Sequence, residues 1–294
     1  MTTVFFDHEC SADERRARLY KGDLFVYSPQ PSSVDFCRFA RELIREHFES
    51  NDPEMVQHEM PVEQYVEILK SLKPTFIHHD ESKKFVARLL EDLGFSTEKT
   101  YFDVPRLRSS TSDGYLTTGI AYAWHPHRDT WYSAPSTQIN VWLPIFDISS
   151  DNTVAFHPAY FTKNVENDSE KYNYYEWNQK YRAAAASQVS KEARPLPSPV
   201  GAVETDSEIR VVCPVGGVIL FSGAHLHSSV PNSSGRTRFS IDFRIVDIDD
   251  IQSGLGAPMQ DVRCTGSNIR DFICAADNSK VPESVVRLFD DGTE

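Results

Sequence analysis

The pattern of apolar residues changes character about one third of the way along this 294-residue chain, and that change limits the folds it can adopt. Before residue 100, apolar side chains recur at the three- and four-residue spacing of one face of an α-helix. Pro61 is a typical start for one helix, and Gly94 is a typical stop after another. Helices are therefore predicted over Ser33–Glu49, Val62–Leu72 and Ser82–Leu93.

After residue 100, β-branched and aromatic residues come in short runs separated by Gly and Pro, which is typical of strands and turns. Strands are predicted over Gly119–Trp124, Gln138–Phe146, Ile209–Pro214, Val218–Ser222 and Thr237–Val246. The sequence thus predicts a mainly β fold with a helical N-terminal part. At this length such a fold fits one domain.

We interpret residues 1–294 as one domain in four parts. Residues 1–100 form helical support, and residues 115–154 and 209–246 form the β core. Residues 155–208 are an aromatic-rich insertion between strands, and residues 247–294 are a C-terminal extension with one possible helix near Val281–Phe289. Because long loops in compact domains are often functional, the insertion is expected near the functional site.

Composition excludes several classes of protein. The formal net charge is -13 and no stretch is rich in Lys or Arg, so nucleic acid is not an expected partner. The five cysteines are odd in number and scattered, which is typical of reduced thiols in a cytoplasmic protein. The N-terminal segment is too polar for a signal peptide, and no apolar run has the length of a membrane helix. The oligomeric state does not follow from these features.

Three residues have the types and spacing of a metal site. In an extended strand, residues i and i+2 project to the same face, so His127 and Asp129 would present an imidazole and a carboxylate to the same space. A distant histidine, His227, would complete a set of two histidines and one carboxylate. That set leaves open positions on an octahedral ion and is typical of non-haem iron(II) oxygenases. No catalytic residue is predicted beyond these ligands.

Arg238 follows His227 by eleven residues, with turn-forming residues between them. The two side chains are therefore expected on adjacent antiparallel strands, both facing inward. An arginine pairs with a buried carboxylate through a bidentate fork, which suits the distal carboxylate of 2-oxoglutarate. Ser240 lies on the same face as Arg238 by strand alternation and is expected to contact the same carboxylate.

Other histidines compete for the ligand positions. His225 would lie on the same face as His227 and stands eleven residues before Arg236, but the Arg238-x-Ser240 pattern favours His227. His125 could join His127 in a cupin-type His-x-His pair, yet no glutamate follows within twenty residues, which favours Asp129.

The motifs His127-Arg-Asp129, His227-Ser-Ser-Val-Pro-Asn232 and Arg238-Phe-Ser240 resemble those of the phytanoyl-CoA dioxygenase-like (PhyH-like) branch of iron(II)/2-oxoglutarate oxygenases. The resemblance covers roughly residues 115–246. It implies a double-stranded β-helix, a cupin-like jelly-roll, with Trp142 and Ser229 as further co-substrate contacts. It also implies O2-dependent oxidation of a substrate C–H bond, most simply hydroxylation, with release of succinate and CO2. Because Asp129 retains the carboxylate ligand, halogenation is disfavoured.

The substrate is expected to be a small molecule. Residues proposed to contact it are Tyr122, Trp131, Arg106, His157 and Arg244. Two other functions stay open: a cupin-type metal dioxygenase or isomerase without 2-oxoglutarate, and a non-catalytic small-molecule binding protein on the same scaffold. Arg238 favours the oxygenase over the cupin-type enzyme.

Overall fold

The computed structural model describes residues 1–121, 125–187 and 192–289. The α-helices of the described chain are α1 (Ala12–Leu19), α2 (Pro31–Phe48), α3 (Val62–His78), α4 (Asp80–Asp92), α5 (Tyr174–Glu176), α6 (Ile248–Gln252) and α7 (Glu283–Val286). The strands are β1 (Val4–Phe6), β2 (Leu24–Tyr27), β3 (Thr100–Phe102), β4 (Arg106–Ser110), β5 (Ile139–Pro144), β6 (Val154–Phe156), β7 (Ile209–Val211), β8 (Val218–Ser222), β9 (His227–Ser229), β10 (Arg238–Asp247) and β11 (Ile273–Cys274). Among these residues, no helix combines the length and apolar character needed to cross a bilayer.

The three predicted N-terminal helices are confirmed as α2, α3 and α4. Pro31 occupies the first turn of α2, where its missing N–H costs no hydrogen bond. Helix α3 runs through Pro74 to His78, further than its apolar pattern predicted. At the start of α4 the ring of His79 accepts a hydrogen bond from the Glu81 amide.

Most strands lie in one eight-stranded sheet with the order β1-β2-β8-β5-β10-β3-β11, and β4 also pairs with β10. All pairs except β1–β2 are antiparallel. Side chains alternate between the two faces of β10. Phe239, Ile241 and Phe243 belong to the same apolar core as α2, α3 and α4. The polar residues between them face the other way.

A second sheet, β7-β6-β9, is three-stranded and antiparallel. An apolar layer joins it to the larger sheet, and in this layer Phe156 of β6 meets Phe221 of β8 edge to face. An isolated bridge between His127 and His227 adds a further backbone pairing at the edge of β9. Helices therefore cover one face of the large sheet, and the small sheet packs on part of the other.

Two parts of the sequence interpretation need correction. The strand predicted over Gly119–Trp124 is not observed: Gly119–Ala121 is a short 3₁₀ helix, and residues 122–124 lie outside the described part. The insertion overlaps the core by two residues, since β6 extends to Phe156.

The possible helix near the C-terminus is confirmed as α7, followed by a 3₁₀ turn over Arg287–Phe289.

Candidate metal and co-substrate site

His127 and His227 face each other across an antiparallel bridge. The His127 amide donates to the His227 carbonyl at 2.9 Å, and the His227 amide donates to the His127 carbonyl at 3.0 Å. This pairing sets the two imidazole centroids 4.4 Å apart. Residues from two distant parts of the chain are thus fixed in position by their backbones.

Both imidazoles are oriented by a hydrogen bond through Nδ1. His127 Nδ1 lies 2.8 Å from the carbonyl of His125, and His227 Nδ1 lies 2.9 Å from the carbonyl of His225. Because a carbonyl oxygen only accepts, each Nδ1 must carry the proton, which leaves Nε2 as the metal-binding nitrogen of a neutral ring. Burial lowers the pKa of His227 to about 3, so this ring is neutral at ordinary pH.

The carboxylate of Asp129 presents one oxygen to the histidines. Its Oδ1 lies 3.6 Å from Nε2 of His127 and 4.0 Å from Nε2 of His227. Its Oδ2 accepts hydrogen bonds from Gln138 Nε2 at 2.8 Å and Asn140 Nδ2 at 2.7 Å. The two amides therefore occupy one oxygen and turn the other towards the imidazoles.

Asp129 is held as an anion although it is buried. Burial raises the pKa of this carboxyl, but its proximity to His127 and the nearby charge of Arg244 outweigh this effect and hold the pKa well below its usual range. The Nε atom of Arg244 lies 3.9 Å from Oδ2. One local expectation was wrong: Asp129 is not in a strand but begins a 3₁₀ helix over Asp129–Tyr132, anchored by its amide to the Gly223 carbonyl at 2.9 Å.

One ligand atom from each of His127, Asp129 and His227 lies within 4.8 Å of the others, and all three residues are buried. Two neutral imidazoles and a carboxylate form a donor set that suits a divalent iron ion. His225, the competing histidine, is not part of this group. It is fully buried, and its ring packs against Phe156 and Phe161. The Nε2 of His125 bonds instead to the Pro197 carbonyl at 2.9 Å.

The three candidate ligands line a cavity of about 400 Å³. One wall is the inward face of β4, β5 and β10. This face is polar because side chains alternate along each strand and the apolar ones point to the opposite face. The insertion supplies aromatic and cationic side chains to another wall: Tyr172, Tyr174, Trp177, Arg182 and Arg194. The cavity is thus a polar, charged space between the large sheet and the insertion.

Arg238 lines this cavity and is buried, with 6% of its surface exposed. Its Nη1 donates to the Asn152 carbonyl at 3.1 Å, and its Nε has no hydrogen-bond partner among the described residues. Within the same part of the chain, no carboxylate lies within ion-pairing distance of it. A buried guanidinium in this state fits an anionic ligand, because an unpaired buried charge is costly.

Three further side chains were predicted to contact the co-substrate. The guanidinium of Arg238 lies 5.6 Å from the centre of the Trp142 ring, and both Trp142 and Ser229 line the cavity. Ser240 is fully buried on the Arg238 side of β10, and its hydroxyl has no partner among the described groups. The positions of Arg238, Trp142 and Ser229 suit a dicarboxylate whose distal end lies against Arg238, whereas Ser240 does not line the cavity.

The structure places some of the proposed substrate residues at the cavity and others away from it. Arg106 and Arg244 line the cavity, where both pair with Asp103, at 2.6 and 3.2 Å. Trp131 and His157 do not line the cavity, which corrects their assignment. The indole of Trp131 is fully buried and donates to Asp261 at 2.8 Å, while the His157 ring contacts the Ser228 hydroxyl at 3.1 Å. Tyr122 lies outside the described residues.

Sequence reasoning missed several residues around the site. Asn140 could have been found, because it lies two positions before Trp142 on the same face of β5. Asp242 could also have been found, because it lies between Ser240 and Arg244 on the same face of β10 as Arg238. Gln138 and Lys73 carry no motif, and only the tertiary structure brings them to the cavity.

Arg128, between the two ligands, does not line the cavity and is buried. Its Nε pairs with Asp261 at 3.1 Å, and its Nη2 donates to the carbonyls of Tyr160 and Lys163. Asp261 also accepts from the Val165 amide at 2.9 Å. This buried ion pair therefore links the ligand segment to the insertion and to the C-terminal extension.

Comparison with known proteins gives distant similarity only. No protein-family model matches the chain, and no curated protein matches its sequence. AviO1 from Streptomyces viridochromogenes Tue57 is 13% identical over 82% of this chain and 97% of its own, with a TM-score of 0.39. EvdO2 from Micromonospora carbonacea var. aurantiaca, complexed with 2-oxoglutarate, is 11% identical over 82% and 93%, with a TM-score of 0.44. The epimerase SnoN, in complex with Fe3+, alpha ketoglutarate and nogalamycin RO, is 15% identical over 85% and 96%, with a TM-score of 0.42. Any assignment of function to this chain therefore depends on its own site.

Proposed function

We propose that this chain is an iron(II)- and 2-oxoglutarate-dependent oxygenase that oxidises a C–H bond of a small molecule, with hydroxylation as the simplest outcome. One observation carries the proposal: the group His127, Asp129 and His227 shares a cavity with Arg238, a buried arginine that has no carboxylate partner in the described chain. Neither the group of three metal ligands nor the buried arginine alone specifies this chemistry. Together they provide a metal site and a second anchor for a 2-oxo dicarboxylate.

The strand order supports a double-stranded β-helix as the finer description of the fold. In the large sheet β4-β10-β5-β8 are neighbours, and in the small sheet β9-β6-β7 are neighbours, with the His127 segment paired to β9. From β4 to β10 the chain therefore passes back and forth between two facing sheets, with β6 and β7 as one consecutive pair in the small sheet, which is the jelly-roll pattern. Assignment to the phytanoyl-CoA dioxygenase-like branch is part of the proposal and depends on the sequence motifs.

Each residue of the site then has a defined role. Nε2 of the two histidines and Oδ1 of Asp129 would hold iron(II), and Gln138 and Asn140 keep Asp129 in the binding orientation. Arg238 would pair with the distal carboxylate of 2-oxoglutarate, and Ser240 would donate its hydroxyl to the same group. Iron(II) with 2-oxoglutarate and O2 supplies the oxidising chemistry, and the co-substrate leaves as succinate and CO2. Tyr172 and Trp177 of the insertion line the cavity and would limit the access of water to it.

The proposal is tested on the metal-free protein without oxygen. Iron(II) and then 2-oxoglutarate are added, and the visible spectrum is recorded for the weak charge-transfer band of a chelated 2-oxo acid. We expect the band in the parent, no band in His227→Ala, and a much higher 2-oxoglutarate requirement in Arg238→Met. Arg236→Met is the matched control, because Arg236 is exposed and lies two residues before Arg238.

Absence of the band in metal-loaded parent protein would reject 2-oxoglutarate as the co-substrate and favour a cupin-type enzyme. In that case Arg238→Met should keep whatever activity the parent has. A band without succinate formation under any substrate would favour a non-catalytic binding protein.

A further inference from the structure

The cavity carries an excess of positive charge in an acidic protein. Seven cationic side chains and four carboxylates line it, an excess of three, whereas the whole chain has a formal net charge of -13. Arg194 is already neutralised by Glu192, which holds it through two contacts of 2.7 Å. An excess of two positive charges is left. The proposed cofactors do not remove it, because the charge of iron(II) and that of the 2-oxoglutarate dianion cancel.

This excess is concentrated on the wall formed by α3, β4 and β10. Lys73, Arg106, Arg108 and Arg244 share two carboxylates there. Asp242 is taken by Arg108 in a bidentate pair, at 2.6 and 3.2 Å. Asp103 is shared between Arg106 and Arg244. Neither carboxylate is left for Lys73.

Arg106 has unused donors. Its Nη1 makes both of its hydrogen bonds, to Asp103 at 2.6 Å and to the Val104 carbonyl at 3.2 Å. Within the described chain, Nε and Nη2 donate to no protein group. Since Arg106 lines the cavity, these donors are available to a ligand.

Lys73 is the clearest sign of a missing anion. It is 9% exposed, its ammonium group donates only to the Ile120 carbonyl, and no carboxylate of the described residues lies within 4.0 Å of it. Burial, with the charge of Arg108, lowers the pKa of Lys73 to about 7. A buried ammonium without a counterion is unfavourable for the folded protein, so its presence in a cavity wall points to binding.

We propose that the substrate carries an oxyanion, a carboxylate or a phosphate, and that Lys73 and Arg106 bind it at the β4 wall of the cavity. Arg108, held by Asp242, adds positive charge beside them. The aromatic side chains of Tyr172, Tyr174 and Trp177 line the same cavity and would contact the rest of the substrate. The inference rests on the proposed function for its identification of this ligand as the substrate.

The test measures anion binding rather than turnover. Protein loaded with iron(II) and saturating 2-oxoglutarate, without oxygen, is titrated by calorimetry with inorganic phosphate and separately with benzoate. We expect at least one probe to bind the parent and to bind about tenfold more weakly to Lys73→Met and to Arg106→Gln, the loss for one charge-assisted hydrogen bond. Preference for phosphate or benzoate identifies the oxyanion.

Lys70→Met is the matched control, because Lys70 lies on the same helix but is exposed and paired with Glu67. It should bind the probe as the parent does. Two separate variants are compared so that a folding defect in one of them does not decide the test. In Arg106→Gln, Asp103 keeps its ion pair with Arg244. No binding of either probe to the parent, or equal binding by parent and both variants, overturns the proposal. Failure of the proposed function is seen separately, as loss of the charge-transfer band, and the same titrations without 2-oxoglutarate still report on the anion site.

Discussion

The amides of His127 and His227 each donate to the other's carbonyl, so the two imidazoles of the candidate metal site are paired by backbone hydrogen bonds. Their geometry therefore does not depend on a metal ion. The third candidate ligand is fixed from a different direction, because Gln138 and Asn140 hold one oxygen of Asp129. A site arranged in this way loses little conformational entropy when it binds a metal.

The support of Asp129 by Asn140 gives the first prediction. Replacing Asn140 by Leu keeps the side-chain volume but removes the hydrogen bond to Oδ2, so the carboxylate can rotate. We expect iron(II) affinity to fall about 10- to 100-fold, the usual effect of losing such a supporting contact. Anaerobic titration calorimetry measures it. Asn178→Leu is the control, since Asn178 lines the same cavity and contacts no ligand residue. Unchanged affinity in Asn140→Leu would show that the amide does not orient Asp129.

Arg238 gives the second prediction, which concerns stability with and without ligand. In the presence of metal, 2-oxoglutarate should stabilise the parent against unfolding by about 2.7 kcal/mol at a hundred times its dissociation constant. Arg238→Met should lose most of this stabilisation, because the buried anchor for the distal carboxylate is gone. Without ligand, the variant should be at least as stable as the parent, since it no longer buries an unpaired charge. Thermal unfolding with and without 2-oxoglutarate measures both effects, and Arg236→Met should behave as the parent. Full ligand stabilisation in Arg238→Met would contradict the assignment.

Trp131 and Asp261 give the third prediction. Asp261 pairs with Arg128 and accepts from the Trp131 indole, and all three groups are buried. Removing one partner of a buried ion pair leaves an uncompensated charge, so Asp261→Ala should lose about 3–5 kcal/mol of unfolding free energy. Trp131→Phe should lose about 1.5–3 kcal/mol for the hydrogen bond to a charged acceptor, with a further loss because the smaller ring leaves a cavity. Urea unfolding measures both.

The same variants test the placement of Trp131 behind the cavity. Trp131→Phe should keep the parent's affinity for 2-oxoglutarate and for phosphate or benzoate. A large loss of probe binding with unchanged stability would instead return Trp131 to the substrate site.

Much of the site could be predicted from local patterns, and the reasons are physical. Strand alternation places Arg238 and Ser240 on one face, and it does so whatever the rest of the chain does. That His127 and His227 lie close together could also be predicted, because a facial set of metal ligands needs a third residue from a distant strand.

What could not be predicted depends on contacts between residues far apart in sequence. Trp131 looked like a pocket residue, but a 3₁₀ turn after Asp129 directs its indole to Asp261, 130 positions later in the chain. Lys73 lies just beyond the helix predicted over Val62–Leu72, and no motif marked it. Only the packing of α3 against β4 encloses it beside Arg108, and no periodicity encodes that neighbour.

The pH dependence of stability gives the last prediction, and it separates a buried functional lysine from a structural one. The pKa of Lys73 is lowered from 10.5 to about 7 by burial and by Arg108, against the opposing charge of Asp242. Between these values the unfolded chain holds a proton that the folded protein has released, so the free energy of unfolding of the parent rises with pH across this window. Burying the charged ammonium of Lys73 destabilises the folded protein by the full amount below the pKa that Lys73 has in the folded protein. The destabilisation is absent above the pKa that Lys73 has in the unfolded chain. Lys73→Met removes the penalty, so its stability advantage over the parent should be largest near about pH 6 and smaller by about pH 9, changing by about 1.4 kcal/mol per pH unit within the window. Urea unfolding of parent and variant across this range measures the difference, and Lys70→Met should show none of it. If Lys73→Met were less stable than the parent at the acidic end, Lys73 would be a stabilising structural residue, and the case for a substrate anion at the β4 wall would lose its strongest support.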